Sequence, residues 1–141
     1  MYTTINSLHS GWAYVAIFVL LIAVINAIGG MSAKKPFSSR DRIISLLALV
    51  FIHIQFVFGL ILYFVSPMGL AVLGEMKDAE LRLTSLEHPL VNLIAITLIT
   101  IGWSKHKKLT DGTRKFKTFA IFYGLGLILL LSRIPWDRWF E

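Results

Sequence analysis

Four apolar stretches separated by charged links predict an all-α fold, a four-helix transmembrane bundle of up-down topology with both termini on the outer side. Three observations carry this expectation. The chain of 141 residues is 56% hydrophobic and only 16% charged, with a mean hydropathy of +0.72. A water-soluble domain holds roughly 45–50% apolar and about 25% charged residues, so lipid must solvate much of this chain. Each stretch approaches or exceeds the ~20 helical residues that cross about 30 Å of hydrocarbon. The cations, finally, crowd into two of the links.

The whole chain, 1–141, reads as one transmembrane domain with spans over about 12–29, 43–65, 86–103 and 118–133. Lipid offers no partner to a backbone N–H or C=O, so the spans should be helices. A barrel would need polar residues alternating along each segment, and none do. Asn26 interrupts the first span, and His53 and Gln55 lie within the second. Residues before Trp12 include no Lys or Arg, and the first apolar run exceeds a signal-peptide core, so it reads as a retained span. Span four reaches full length with Lys117 and Arg133 snorkelling at its two ends.

Helix ends are marked as well. Ser66-Pro67 closes span two, Pro135 follows span four, and Thr84 with Glu87 has capping-box spacing ahead of Pro89. Apolar residues at helical spacing from Leu70 to Leu83 suggest a short helix on the membrane surface. Trp12, Trp136 and Trp139 are expected at the outer boundary and Trp103 at the inner one.

Orientation follows from the cations. Lys34, Lys35, Arg40 and Arg42 fill the first link; Lys105, Lys107, Lys108, Arg114, Lys115 and Lys117 fill the third. The remaining Lys77, Arg82, Arg133 and Arg138 share their side with Glu75, Asp78, Glu80, Glu87, Asp137 and Glu141. The positive-inside rule puts both basic links in the cytoplasm. The net charge of +6 is therefore a topology signal. It does not point to nucleic acid, whose binding surfaces interleave cations with aromatics for stacking.

The absence of cysteine excludes disulfides, thiolate zinc sites, iron–sulfur clusters and covalently attached haem. No Gly-rich phosphate loop, HExxH motif or serine nucleophile beside a base is present. That leaves the ionisable residues within the membrane, which are costly there and so are functional candidates. His106, beside Lys105, Lys107 and Lys108, reads as solvated. His53 falls near the middle of span two, where a hydrogen bond to Asn92, Thr97 or a carbonyl of another helix would account for it. His88 begins span three beside Glu87, and His9 precedes span one, both positions suited to a wet interface.

Three histidines from separate spans can also converge within a bundle, which is how bundles build cofactor and metal sites. Haem b takes two neutral imidazoles with no covalent tether. Gly59, Gly124 and Gly126 offer small surfaces for a macrocycle, or simply for helix approach. Arg133 suits a propionate, or a partner such as Asp137 or Glu87. Counted along the spans, His9 and His88 differ in depth by roughly 8 Å, and His53 and His88 by roughly 10 Å. Spans one and three are diagonal in an up-down bundle, with more room between them. His88 is therefore expected as one ligand, its mate being His9 or His53. Zinc or copper on the three histidines and Glu87 is less suited, because His53 is deep. A proton relay through His53 and Gln55 lacks the usual chain of carboxylates.

Short motifs along nearly the whole chain carry a resemblance. His9-Ser10, Lys35-Pro36-Phe37, Asp41-Arg42, His53-Ile54-Gln55 through Gly59 to Leu62-Tyr63, Glu87-His88-Pro89 and Ile134-Pro135-Trp136 are the matching residues. The chain resembles small bacterial four-helix integral membrane proteins labelled cytochrome b-like. That resemblance implies haem b, electron transfer, a bacterial inner membrane location, and His9, His53 and His88 as the matching histidines. Gly11 stands before Trp12 where such proteins often carry a cation, which weakens a propionate role for span one.

The leading expectation is a membrane-embedded b-type cytochrome-like electron carrier, with two of His9, His53 and His88 as iron ligands and Arg133 at the cofactor. Quinone and other membrane or respiratory-complex subunits are its expected partners, and it is not a stand-alone enzyme. The alternative is a cofactor-free structural or accessory subunit of a larger membrane complex. A small transporter would need a continuous polar path that Asn26, Ser45, Gln55, Asn92 and Thr100 do not supply.

Overall fold

The computed structural model describes residues 1–139; Glu141, counted above among the outer acids, lies outside the described residues. Four helices are long and apolar enough to cross a membrane: α1 (Tyr2–Ser32), α2 (Ser39–Val65), α3 (Ala79–His106) and α4 (Gly112–Ser132). A single turn, α5 (Trp136–Trp139), ends the described chain. Helix α1 packs between α2 and α4, and α3 packs against α4 and more loosely against α2. That leaves α1 and α3 facing each other across the diagonal, as the up-down reading expects.

Two boundaries differ from the hydropathy reading. Helix α1 starts at Tyr2 instead of near residue 12, because a helix once nucleated propagates through polar residues until a breaker stops it. His9 and Trp12 consequently lie inside the bundle. Trp12 is not a boundary residue: its Nε1 donates to the Phe51 carbonyl at 3.0 Å and its ring packs on Phe51. Helix α3 likewise starts at Ala79, with Asp78 accepting from the Glu80 and Leu81 amides as its N-cap. Thr84 is thus no cap, its hydroxyl donating instead to the Glu80 carbonyl within the helix. The expected surface helix over Leu70–Leu83 resolves into one 3₁₀ turn, Leu70–Val72, and the first turn of α3.

The end of the bundle formed by the 33–38 and 107–111 links is tightly built. Helix α1 stops in a Schellman arrangement, with Lys35 N–H on the Gly30 carbonyl and Lys34 N–H on the Met31 carbonyl. Lys34 takes the left-handed position there, with φ of 52°. Ser38 opens α2 with a capping box to Asp41. Asp41 is buried, and its carboxylate accepts from Asn26 Nδ2 (3.0 Å), Lys35 Nζ (3.0 Å), Ser38 N (2.9 Å) and Ser38 Oγ (2.7 Å). His106 corrects the expectation of a solvated residue. It shares a face with Trp103 three residues earlier, and Phe37 and Phe119 close over it, leaving 2% of it exposed.

From this end the core runs through Ala27, Ala23, Leu20 and Ala16 on α1, with Ala48, Ile99, Phe116, Phe119 and Tyr123 against them. The Tyr123 hydroxyl donates to the Ser45 carbonyl at 2.8 Å. Phe18, Ile25, Phe64 and Ile128 instead face outward, each 60–64% exposed, as lipid-facing side chains would.

Candidate functional site

The packing changes character halfway along the bundle. Beyond Ala16, Ile52, Ala95 and Leu127, toward the end that holds both termini, Ser85 alone is buried among the described residues of the four helices. The inward-facing positions there, His9 and Trp12 on α1, Gln55 and Gly59 on α2, His88 and Asn92 on α3, are only half-buried. Leucine and phenylalanine close the half near the links, and the polar side chains gather in the other half.

Two of the three candidate histidines meet in it. The rings of His9 and His88 face each other across the diagonal, centroids 6.2 Å apart and planes at 84°. This is one of the two pairs that the depth counts leave open, and the helix that starts at Tyr2 carries His9 to it. Gly59 makes the approach possible: a Cβ there would lie 3.0 Å from His9 Cε1.

Local chain chemistry sets His88. Pro89 lacks an N–H and so cannot bond the carbonyl four residues back, that of Ser85. The helix widens into a π-turn over Leu83–Glu87, and His88 N–H reaches back to the Leu83 carbonyl. The released Ser85 carbonyl accepts from the Tyr63 hydroxyl at 3.0 Å, which ties α3 to α2 beside the site.

A hydrogen bond then fixes which nitrogen of His88 holds its lone pair. His88 Nδ1 stands 2.7 Å from the Arg133 carbonyl, which can only accept, so Nδ1 carries the proton and Nε2 the lone pair. Asn92, four residues on and so on the same face, donates to Nε2 at 3.0 Å. Across the axis, Gln55 Nε2 donates to the His9 carbonyl (3.0 Å) and stands 3.1 Å from His9 Nδ1 and 3.4 Å from His9 Nε2. The amide oxygens of Gln55 and Asn92 are buried with no hydrogen-bond partner among the described residues. Buried polar atoms are rarely left so, and an unmet pair beside two facing imidazoles marks a site built for something more.

His53 does not join them. It is exposed on the outer face of the α2/α3 seam, with Nδ1 donating to the Leu49 carbonyl at 2.7 Å and Nε2 3.3 Å from Thr100 Oγ1. The carbonyl that takes its proton belongs to its own helix and not to another one, and Thr100 stands where Asn92 or Thr97 was expected. Arg133 lies at the rim, half-exposed, with Nε 3.3 Å from Glu87, whose other oxygen accepts from Arg82 Nε at 2.9 Å. Two guanidiniums therefore share one carboxylate, leaving positive charge in excess.

Of the small residues, Gly126 receives the Ile99 side chain, a Cβ there lying 2.6 Å from Ile99 Cγ1. It serves helix approach. Among the described residues no group of three or more His, Cys, Asp or Glu is assembled to hold a metal ion, so the arrangement with Glu87 considered for zinc or copper does not form. Comparison with protein-family models, curated proteins and solved structures finds no match.

The contact at Gly59 gives a direct test of the pair. Gly59→Leu should force His9 away from His88 at a cost of about 1–3 kcal/mol for overpacking. In NMR spectra of the detergent-solubilised protein, the through-space coupling between the two rings should disappear while the His106 ring signals stay in place.

Proposed function

We propose that the protein is a membrane-embedded, b-type cytochrome-like electron carrier that holds non-covalent haem b between His9 and His88. The observation that carries this reading is the imidazole pair that His9 and His88 form between opposite helices of the bundle. His9 and His88 would hold the iron, their rings 6.2 Å apart between centroids and carried by helices on opposite sides of the bundle.

The donor set suits the group. A neutral imidazole always holds one lone-pair nitrogen, and a primary amide whose own oxygen lacks a partner among the described residues stands beside each ring. Haem b, when bound, supplies a one-electron couple. The chain's part is to orient and tune. The Arg133 carbonyl holds the His88 ring by its Nδ1 proton and raises the basicity of the other nitrogen. The surplus positive charge of Arg133 and Arg82 beside Glu87 suits a propionate at the rim. His53, turned outward, has no part in ligation.

The same reading puts the protein in a bacterial inner membrane with both termini on the periplasmic side, since the two basic links should stay cytoplasmic. Quinone and other respiratory membrane subunits are its proposed electron partners.

Full-length protein, expressed with ample haem and purified in detergent, should be red and give a reduced-minus-oxidised α-band. His9→Ala or His88→Ala should lower haem content at least tenfold, and His53→Ala should leave it within about twofold. Colourless wild-type protein would return the cofactor-free accessory subunit, and equal haem in all three variants would overturn ligation by His9 and His88. Because the chain has no cysteine, orientation can be read from single replacements. Ser7→Cys should react with an impermeant maleimide in spheroplasts and Thr110→Cys only after lysis; the reverse pattern would invert the topology.

A further inference from the structure

At the opposite end of the bundle, a groove of about 470 Å³ lies between the end of α3 and the first turns of α4, lined by residues from Lys105 to Phe122. Its rim carries Lys105, Lys108, Arg114 and Lys117, and its floor is Leu109, Ile121 and Phe122. None of the four cations forms an ion pair with a carboxylate among the described residues. The nearest acid in sequence, Asp111, caps α4 by accepting from the Arg114 backbone amide at 3.1 Å. Lys105 lies 5.8 Å from the Phe122 ring centroid, its charge held over the apolar floor.

The groove does not end at its floor. Ile121, Leu125 and Ile128 continue from it along one face of α4 at spacings of four and three residues, 45%, 48% and 64% exposed. A cationic rim above an apolar track has the polarity of a phospholipid, phosphate at one end and acyl chain at the other. The positive-inside bias accounts for the number of cations at this end, but not for four of them rimming a concavity that opens onto an apolar stripe. Inorganic phosphate would use the rim alone and leave the stripe unused. We propose that this groove binds one anionic glycerophospholipid, its phosphate among Lys105, Lys108, Arg114 and Lys117 and an acyl chain along Ile121, Leu125 and Ile128. The site lies on the far side of the closed core from His9 and His88, so it stands whether or not haem is bound.

The test uses the purified full chain in a zwitterionic detergent, titrated with short-chain phosphatidylglycerol, short-chain phosphatidylcholine and inorganic phosphate. Saturable binding of phosphatidylglycerol is expected, at least tenfold tighter than the other two. Lys108→Gln with Lys117→Gln should weaken it on the order of thirtyfold. Lys34→Gln with Arg40→Gln, which removes the same charge from the other basic link, should change it less than threefold. Equal binding of phosphatidylcholine would overturn the proposal. So would inorganic phosphate binding as tightly as the lipid, or equal losses in the two double variants. The wild-type comparison among three ligands needs no variant to fold.

Discussion

A polar group buried in a lipid-solvated bundle must find its partner within the chain, and that constraint organises the whole molecule. Asp41 meets it with four donors at the link end. Tyr123 meets it at the Ser45 carbonyl and Trp12 at the Phe51 carbonyl. Even the defect made by Pro89 is met, since the carbonyl it strands is taken by Tyr63. Against that background the two orphaned amide oxygens beside His9 and His88 are the exception. They fall beside the rings of His9 and His88, which come from opposite helices of the bundle.

The bundle divides its labour along its length. The half near the links is closed by interdigitating side chains, with Phe116 seated over Gly30 and Ile99 over Gly126, and it fixes the relative position of the helices. The other half inherits that alignment. A rigid stem of this kind holds His9 and His88 in register although α1 and α3 are not neighbours. Tyr63 and Arg133 add lateral ties at the level of the pair, from α2 and from the end of α4.

Hydropathy made the four spans legible, because the length of an apolar run measures the hydrocarbon it must cross. It could not show where the helices begin. Helical hydrogen bonding runs on through Tyr2–Gly11 and Ala79–Leu86 irrespective of polarity, and that is why His9 was counted as lying before its helix. The diagonal placement of α1 and α3 followed from topology, and so did the preference for His88 as a ligand candidate. Which histidine faces it depends on rotation about each helix axis, a quantity the all-round apolar pattern of these spans does not encode. His53 and Gln55 illustrate this: two residues apart, one points outward and the other reaches His9. Asn92 carried a readable signal in its i+4 spacing from His88, whereas nothing local to Gln55 announced a partner 46 residues away. His106 was misjudged for a related reason, since charged neighbours in sequence say little about a residue whose own face carries Trp103.

Electron paramagnetic resonance of the ferric, haem-loaded full chain tests the central claim most directly. If His9 and His88 hold the iron with their rings at the 84° seen here, a strongly anisotropic low-spin signal is expected, converted to high-spin by either His9→Ala or His88→Ala and untouched by His53→Ala. A high-spin wild-type spectrum, or a low-spin signal that survives the loss of His9 or His88, would contradict the account.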